Sequence, residues 1–207
     1  MALLLALLLA APQKDPGRAI ARRVQAFYAR TKDFSASFRQ RYTYLAMDRT
    51  EDSEGTVRVK KPGLVRWDYD KPEKRSLYLQ GTTLWIWRPD DQEAQVKRNF
   101  GGDQLSSAFT FLWGKGNLLT EFSPKAVRAP KGLPAGDGLE LTPLKPVPGV
   151  RKLLFVVGKD GQVLASLVTN PQGDLNQIVF AGAKVDQGLA DELFRFAPPK
   201  GAYVQEF

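Results

Sequence analysis

Residues 55–72 read GTVRVKKPGLVRWDYDKP. Val57 and Val59 alternate with Arg58 and Lys60, a Lys-Pro-Gly break follows, and Val65, Trp67 and Tyr69 then alternate with Arg66 and Asp68. Alternation with a period of two marks a strand with one apolar face, so the stretch predicts two strands joined at Lys61-Pro62-Gly63. Proline cannot donate to a sheet ladder, which puts Pro62 in the connection. The apolar face carries an indole and a phenol beside its valines, and rigid rings interlock less readily than Leu and Val. Such a face either fills a solid core or lines an apolar hollow.

On either side the same period recurs. Phe34, Ala36 and Phe38 alternate with Ser35, Ser37 and Arg39, with Tyr42 continuing the apolar side. Leu77 and Leu79 lead to a turn around Gln80-Gly81, after which Leu84 and Ile86 oppose Trp85 and Trp87, a strand apolar on both faces. Residues 152–182 read as a meander with turns at Lys159-Asp160-Gly161 and Asn170-Pro171-Gln172-Gly173. Sequential hairpins predict an antiparallel sheet. The stretch from 123 to 149, rich in Pro, Gly and Lys, predicts a loop region with one short strand at Leu139 and Leu141. Leu189, Leu193, Phe194 and Phe196 close the chain around a helical turn and a Pro-Pro-Lys-Gly exit.

Two segments switch to helical spacing. Ile20, Val24, Phe27 and Tyr28 form one stripe, with Arg18, Arg22 and Arg30 outside it. Leu105, Ala108, Phe109, Leu112 and Trp113 form a second, ended by Gly114, and its remaining face is small or apolar. That second helix packs on the sheet or covers a cavity as a lid. Few helices and much sheet predict a mainly β fold with some α, a long antiparallel sheet that curls and closes over its helices.

Composition removes whole classes of chemistry. The chain has no His and no Cys, which excludes Ser-His-Asp and Cys-His catalysis, disulfides, thiolate metal sites and a lipidated N-terminal cysteine. Asp90-Asp91, the most visible acidic pair, follows Arg88-Pro89 and reads as a turn. The net charge of +8 comes from 30 Lys and Arg against 22 Asp and Glu. It is dispersed, with no run of like charges and no nucleic-acid motif, so a solvated basic face is expected rather than nucleic-acid binding. No Gly-rich phosphate loop opens a helix. Residues 2–11 are apolar and end in Ala10-Ala11, which predicts a short or truncated export signal over 1–11 and a single domain over 12–207.

The run GTVRVKKPGLVRWDYDKP, followed by LYLQGTTLWIWRPDDQEAQV, resembles the signature of the LolA family of periplasmic lipoprotein carriers. The resemblance extends from FSASFRQ at 34–40 through ELTP at 140–143 and GKDGQV at 158–163 to FRFAPPKGAYV near the end. It implies an incomplete antiparallel β-barrel, a curved sheet enclosing a hydrophobic cleft for acyl chains, beneath lid helices and without catalysis, nucleotide, metal or other cofactor. The residues expected to line the cleft are Phe38, Val65, Trp67, Tyr69, Leu77, Leu79, Trp85, Trp87, Phe109, Leu112 and Trp113. In the family, the basic residue before the strand proline hydrogen-bonds the lid and keeps the empty cleft closed. Here that position is Lys61, where better-known members have arginine, and an ammonium lacks the planar fork that holds two carbonyls. QGTT at 80–83 likewise replaces the usual Asp-Gly-Lys-Thr.

The implied partners are acylated lipoproteins, an inner-membrane ABC transporter of the Lol type and an outer-membrane acceptor lipoprotein, with a monomeric carrier between them in the periplasm. LolB, the acceptor, shares the architecture but is itself a lipoprotein, which a chain without cysteine cannot be. A lipid-binding sensor domain is a further relative, ordinarily part of a longer chain. From another class, an exported β-domain docking its basic face on anionic lipid or polymer also fits the charge.

Overall fold

The computed structural model describes residues 15–100 and 116–207. The leader expected over 1–11 and the helix expected over 105–113, with Phe109, Leu112 and Trp113, lie outside the described residues.

One sheet of twelve strands dominates. In chain order these are β1 (Asp33–Tyr44), β2 (Arg49–Lys60), β3 (Leu64–Lys71), β4 (Arg75–Gln80), β5 (Thr83–Arg88) and β6 (Glu93–Lys97). After the short helix α2 (Leu118–Glu121) come β7 (Phe122–Val127), β8 (Asp137–Pro143), β9 (Lys152–Val157), β10 (Val163–Thr169), β11 (Leu175–Val185) and β12 (Tyr203–Glu206). Their spatial order is β12-β6-β5-β4-β3-β2-β1-β11-β10-β9-β8-β7, so β1 joins two arms of consecutive antiparallel strands. β12 pairs with β6 in parallel. The expected open, curved antiparallel sheet is what forms.

The Lys-Pro-Gly break is the β2–β3 turn, with Gly63 at φ 76°, a backbone region that only glycine enters without strain. The proline-rich stretch after 122 holds two strands where one was expected. Pro124 sits on β7, the last strand of the sheet, where a missing donor does not break a ladder on both sides. The strand β12 had no period-two signal strong enough to announce it.

Helix α1 (Pro16–Arg30) starts where Asp15 accepts a hydrogen bond from the Arg18 amide at 2.9 Å, with Pro16 in the first turn. Its apolar stripe, Ile20, Ala21, Val24, Phe27 and Tyr28, is buried. The helix lies along β7 and β8, close enough that a Cβ on Gly17 would stand 2.7 Å from the Pro124 carbonyl oxygen. Leu139, Leu141, Leu153, Phe155, Val157 and Val163 meet it from the sheet to form the main core. Each such side chain contributes about 1.5–3 kcal/mol on burial. The buried Tyr28 hydroxyl accepts from the Val163 amide at 3.2 Å.

The opposite face of the sheet is covered by the C-terminal segment. Asp33, buried at the start of β1, accepts backbone N–H groups of Gln187 at 2.8 Å, Gly188 at 2.9 Å and Leu189 at 3.3 Å. The chain then crosses β2, β3 and β4, held by Lys60 on the Leu189 carbonyl at 2.6 Å, Arg66 on that of Leu193 at 3.1 Å and Gln80 on that of Phe194 at 2.6 Å. It ends as β12 against β6.

Candidate functional site

Register assigns each side chain to a face. Phe38, Gly55 and Tyr69 stand in one cross-strand row, Ala36, Val57, Trp67, Leu77 and Ile86 in the next, and Phe34, Val59, Val65, Leu79 and Leu84 in a third. All belong to the face that carries α1. At the centre, Trp67 is buried, with its ring 4.7 Å from Phe38, and Phe38 meets Tyr69 edge-on at 5.1 Å. Gly55 creates the space for that meeting, because it offers no side chain between two strands that each present a ring.

Packing then falls off along the same face. Over β7–β9 the face is closed by α1, whereas on β3–β5 Val65, Tyr69, Leu77, Leu84 and Ile86 are half-buried. Phe100 covers one end, packed on Leu79 and Leu84, and the amide of Phe100 donates to the Thr82 carbonyl at 2.8 Å. The result is a continuous apolar surface, bordered by the buried Phe38 and Trp67, that the described helices do not bury completely.

Its other end is polar. Tyr69 donates to the Gln40 side-chain oxygen at 2.9 Å, and Gln40 donates to Asn176 at 2.8 Å, a rim running across β3, β1 and β11. Burial pushes the Tyr69 phenol up. The Arg75 guanidinium lies 4.5 Å from the centre of the Tyr69 ring, and Arg88 pairs with Glu93 at 3.4 Å. A cavity of about 560 Å³ opens here between Arg49, Lys71, Arg75, Arg88 and Asp90. Asp90 and Asp91 occupy the expected turn between β5 and β6.

Eight of the expected lining residues are described. The structure brings Phe38, Val65, Trp67, Tyr69, Leu77 and Leu79 onto one surface and puts Trp85 and Trp87 on the other. The two indoles pair across the strands with Tyr78, Ser76, Ala94 and Val96, and Phe196 of the C-terminal segment lies over them. Its ring stacks on Tyr78 at 4.8 Å and stands 5.6 Å from Trp85 and 5.8 Å from Trp87. Leu84 and Ile86 take the inner positions instead. The period-two pattern contained both options, and the signal that separates them is the pair of phenylalanines at 194 and 196, which need a partner surface outside the sheet.

Lys61 stands at the C-terminal end of α1, and its ammonium donates to the Tyr28 carbonyl, in the last helical turn, whose carbonyls look outside the helix for donors. Burial lowers the Lys61 pKa, with Asp186 opposing that shift. Burial of the charged form therefore weighs against folding at neutral pH, and that cost fades as pH rises from this lowered value toward 10.5, since the unfolded chain binds the proton more tightly. Replacing Lys61 by Met is expected to free the last helical turn, raising amide hydrogen exchange at residues 27–31 about tenfold and removing that pH dependence. Unchanged exchange there excludes a clamp.

Comparison with known proteins converges on one family. The sequence profile of "Outer membrane lipoprotein carrier protein LolA" matches residues 29–197. An outer-membrane lipoprotein carrier protein of Chromobacterium violaceum is 33% identical over 183 residues, which is 87% of this chain and 84% of that one. One from Neisseria meningitidis serogroup B is 28% identical over 171 residues, 82% of this chain and 79% of that one. Among solved structures, an uncharacterized conserved protein from Thermus thermophilus superposes with a TM-score of 0.58 at 14% identity, covering 93% of this chain and all of that one, a likeness of fold. Among the described residues no helix is long and apolar enough to cross a membrane.

Proposed function

Because the chain belongs to the LolA family of outer-membrane lipoprotein carrier proteins, we propose that it binds the acyl chains of lipoproteins released from the inner membrane and carries them through the periplasm to the outer membrane. The observation that carries this reading is the half-buried inner face of β3–β5, where Val65, Leu77, Leu84 and Ile86 continue the core surface beyond the reach of α1. Acyl chains laid on that face gain about 0.8 kcal/mol per buried methylene, enough for capture without any directional contact. No bond is made or broken in such a cycle. An ABC transporter of the Lol type would load the carrier and an outer-membrane acceptor would unload it, with no cofactor in the carrier itself.

Lys61 supports a gate in this cycle, because it ties the end of α1 to the turn that connects β2 and β3. A single ammonium holds one carbonyl, so the closed state is held more loosely than a guanidinium would hold it.

Native mass spectrometry of the protein incubated with a triacylated lipopeptide is expected to show a one-to-one adduct. The adduct is expected to survive a rise in salt, because burial of hydrocarbon is not screened as surface charge is. Absence of the adduct sinks the carrier reading, and an adduct that vanishes with salt assigns the binding to the basic surface.

A further inference from the structure

The inner face of β4 and β5 does not end in apolar residues. Leu79 and Leu84 pair across the two strands, Leu77 and Ile86 form the next pair, and one further step along the same face brings Arg75 beside Arg88 at the strand ends. Tyr69 pairs with Arg75 on one side of this row, and Glu93 with Arg88 on the other. Like charges side by side on neighbouring strands repel and weaken the pairing. That cost has no counterpart in the stability of the sheet.

The two guanidinium groups are not equally committed. Arg88 meets Glu93 at 3.4 Å, and Glu93 also accepts from the Gln95 side chain at 2.7 Å. Arg75 pairs with no carboxylate among the described residues: its guanidinium lies over the Tyr69 ring, 4.5 Å from the centre, and its Nε is buried without a hydrogen-bond partner among them. A buried donor left unpaired costs most when it belongs to a charged group. The Tyr69 hydroxyl is engaged with Gln40 at 2.9 Å, which fixes the ring beneath the guanidinium.

Both arginines line the cavity of about 560 Å³, which has as many acidic side chains around it as basic ones, Glu73, Asp90 and Asp91 among them. So balanced a wall gives a net anion no advantage over a neutral group. Guanidinium offers donors and no acceptor, so the ligand it suits here is a neutral hydrogen-bond acceptor attached to hydrocarbon on the adjoining apolar rows. Ester carbonyls of a two-chain glyceryl lipid are such acceptors. We propose that Arg75 and Arg88 form a subsite for the ester carbonyls of a diacylglyceryl head, and that the subsite fixes which way round the cargo lies, head beside Tyr69 and tails across Leu77 and Ile86 toward Val65 and Leu84. The subsite rests on the carrier reading and adds to it a direction and a chemical group.

Two lipopeptides of one peptide and one chain length test this, the first with ester-linked chains on its glyceryl group and the second with ether-linked chains, which lack the carbonyls. In calorimetric titration the native protein is expected to bind the ester form at least about tenfold more tightly, the scale of a hydrogen bond to a charged donor. Arg75→Met is expected to remove that preference by weakening the ester form while binding the ether form as before, which also shows the variant to be folded. Arg75→Lys keeps the charge without the planar fork and is expected to fall between the two. A native protein that binds both forms alike overturns the proposal, whether or not any variant folds, and so does an Arg75→Met variant that weakens both forms alike. A phosphatidylethanolamine with the same chains presents the same esters from another source. Binding of that phospholipid in an ester- and Arg75-dependent way, with no uptake of either lipopeptide, upholds the subsite and sinks the carrier reading alone; a native protein that takes up none of these ligands overturns both.

Discussion

Replacing Leu77 by glutamate is expected to weaken lipopeptide uptake at least about 100-fold, equivalent to about 2.7 kcal/mol, while the sheet stays folded. Leu77 stands between Trp67 and Ile86 in one cross-strand row and is half-buried at the margin of the core, on the face proposed to take acyl chains. A carboxylate there would be stripped of water by every acyl chain that entered, and a charge without a partner in hydrocarbon costs several kcal/mol or forces its own protonation. Uptake should recover in part below the pH at which the buried acid takes up its proton. The matching control is Trp87→Glu, on the other face, which should lower stability through loss of the Phe196 contact and leave the affinity of the folded fraction intact. Calorimetric titration with a lipopeptide, beside a thermal melt of each variant, separates the two effects. Equal losses of affinity in both variants would mean that the inner face is not where acyl chains bind.

Gly55→Ala is expected to cost about 4 kcal/mol, near the upper end for a point substitution, and to lower the melting temperature by about 8–16 °C for a chain of this size. The reason is steric. A Cβ at this position would stand 1.9 Å from the Asp68 carbonyl oxygen, a backbone atom that moves only if β2 and β3 part. The strands change register between Glu54 and Gly55, so the close approach coincides with a bulge that bends the sheet. Asp68 itself is locked from the other face by Arg58 at 2.8 Å, Arg66 at 2.9 Å and Ser76 at 2.8 Å, so the neighbouring strand cannot yield cheaply. A melting temperature within a degree or two of the native one would show that the bulge relaxes freely.

How much of this was legible beforehand depended on whether a local period carried the information. Ile20, Val24, Phe27 and Tyr28 announced α1, and all four are buried as the spacing requires. The alternation through Val57, Val59, Val65, Trp67 and Tyr69 announced the sheet and its inner face, because a period of two leaves one choice of side once a neighbour is fixed. Trp85 and Trp87 show the limit. Their strand is apolar on both faces, so the pattern was silent on orientation, and ring size favoured the side opposite the one that Leu84 and Ile86 share with Trp67. Only the long-range return of Phe194 and Phe196 resolves it, and contacts across a hundred residues leave no local trace. Asp33 is a similar case: a buried carboxylate holding three amides of the segment after β11 reads in sequence as an ordinary strand-start acid. In the proline-rich stretch one strand was expected, at Leu139 and Leu141, and the edge of the sheet accommodates a second that carries Pro124.

The position of β1 between β2 and β11 sets the order in which the protein is able to assemble. The first arm, β1 to β6, pairs neighbour to neighbour and needs nothing that has not already been synthesised. The second arm docks only when β11 reaches β1, and α1, the first of the described elements, waits for β7 and β8 before it has anything to lie on. Until then the nascent chain displays an unroofed greasy sheet, and the delay grows with the sequence distance to be closed. The apolar face of this sheet is therefore the last part of the molecule to gain its cover, and the first to lose it if the second arm lets go.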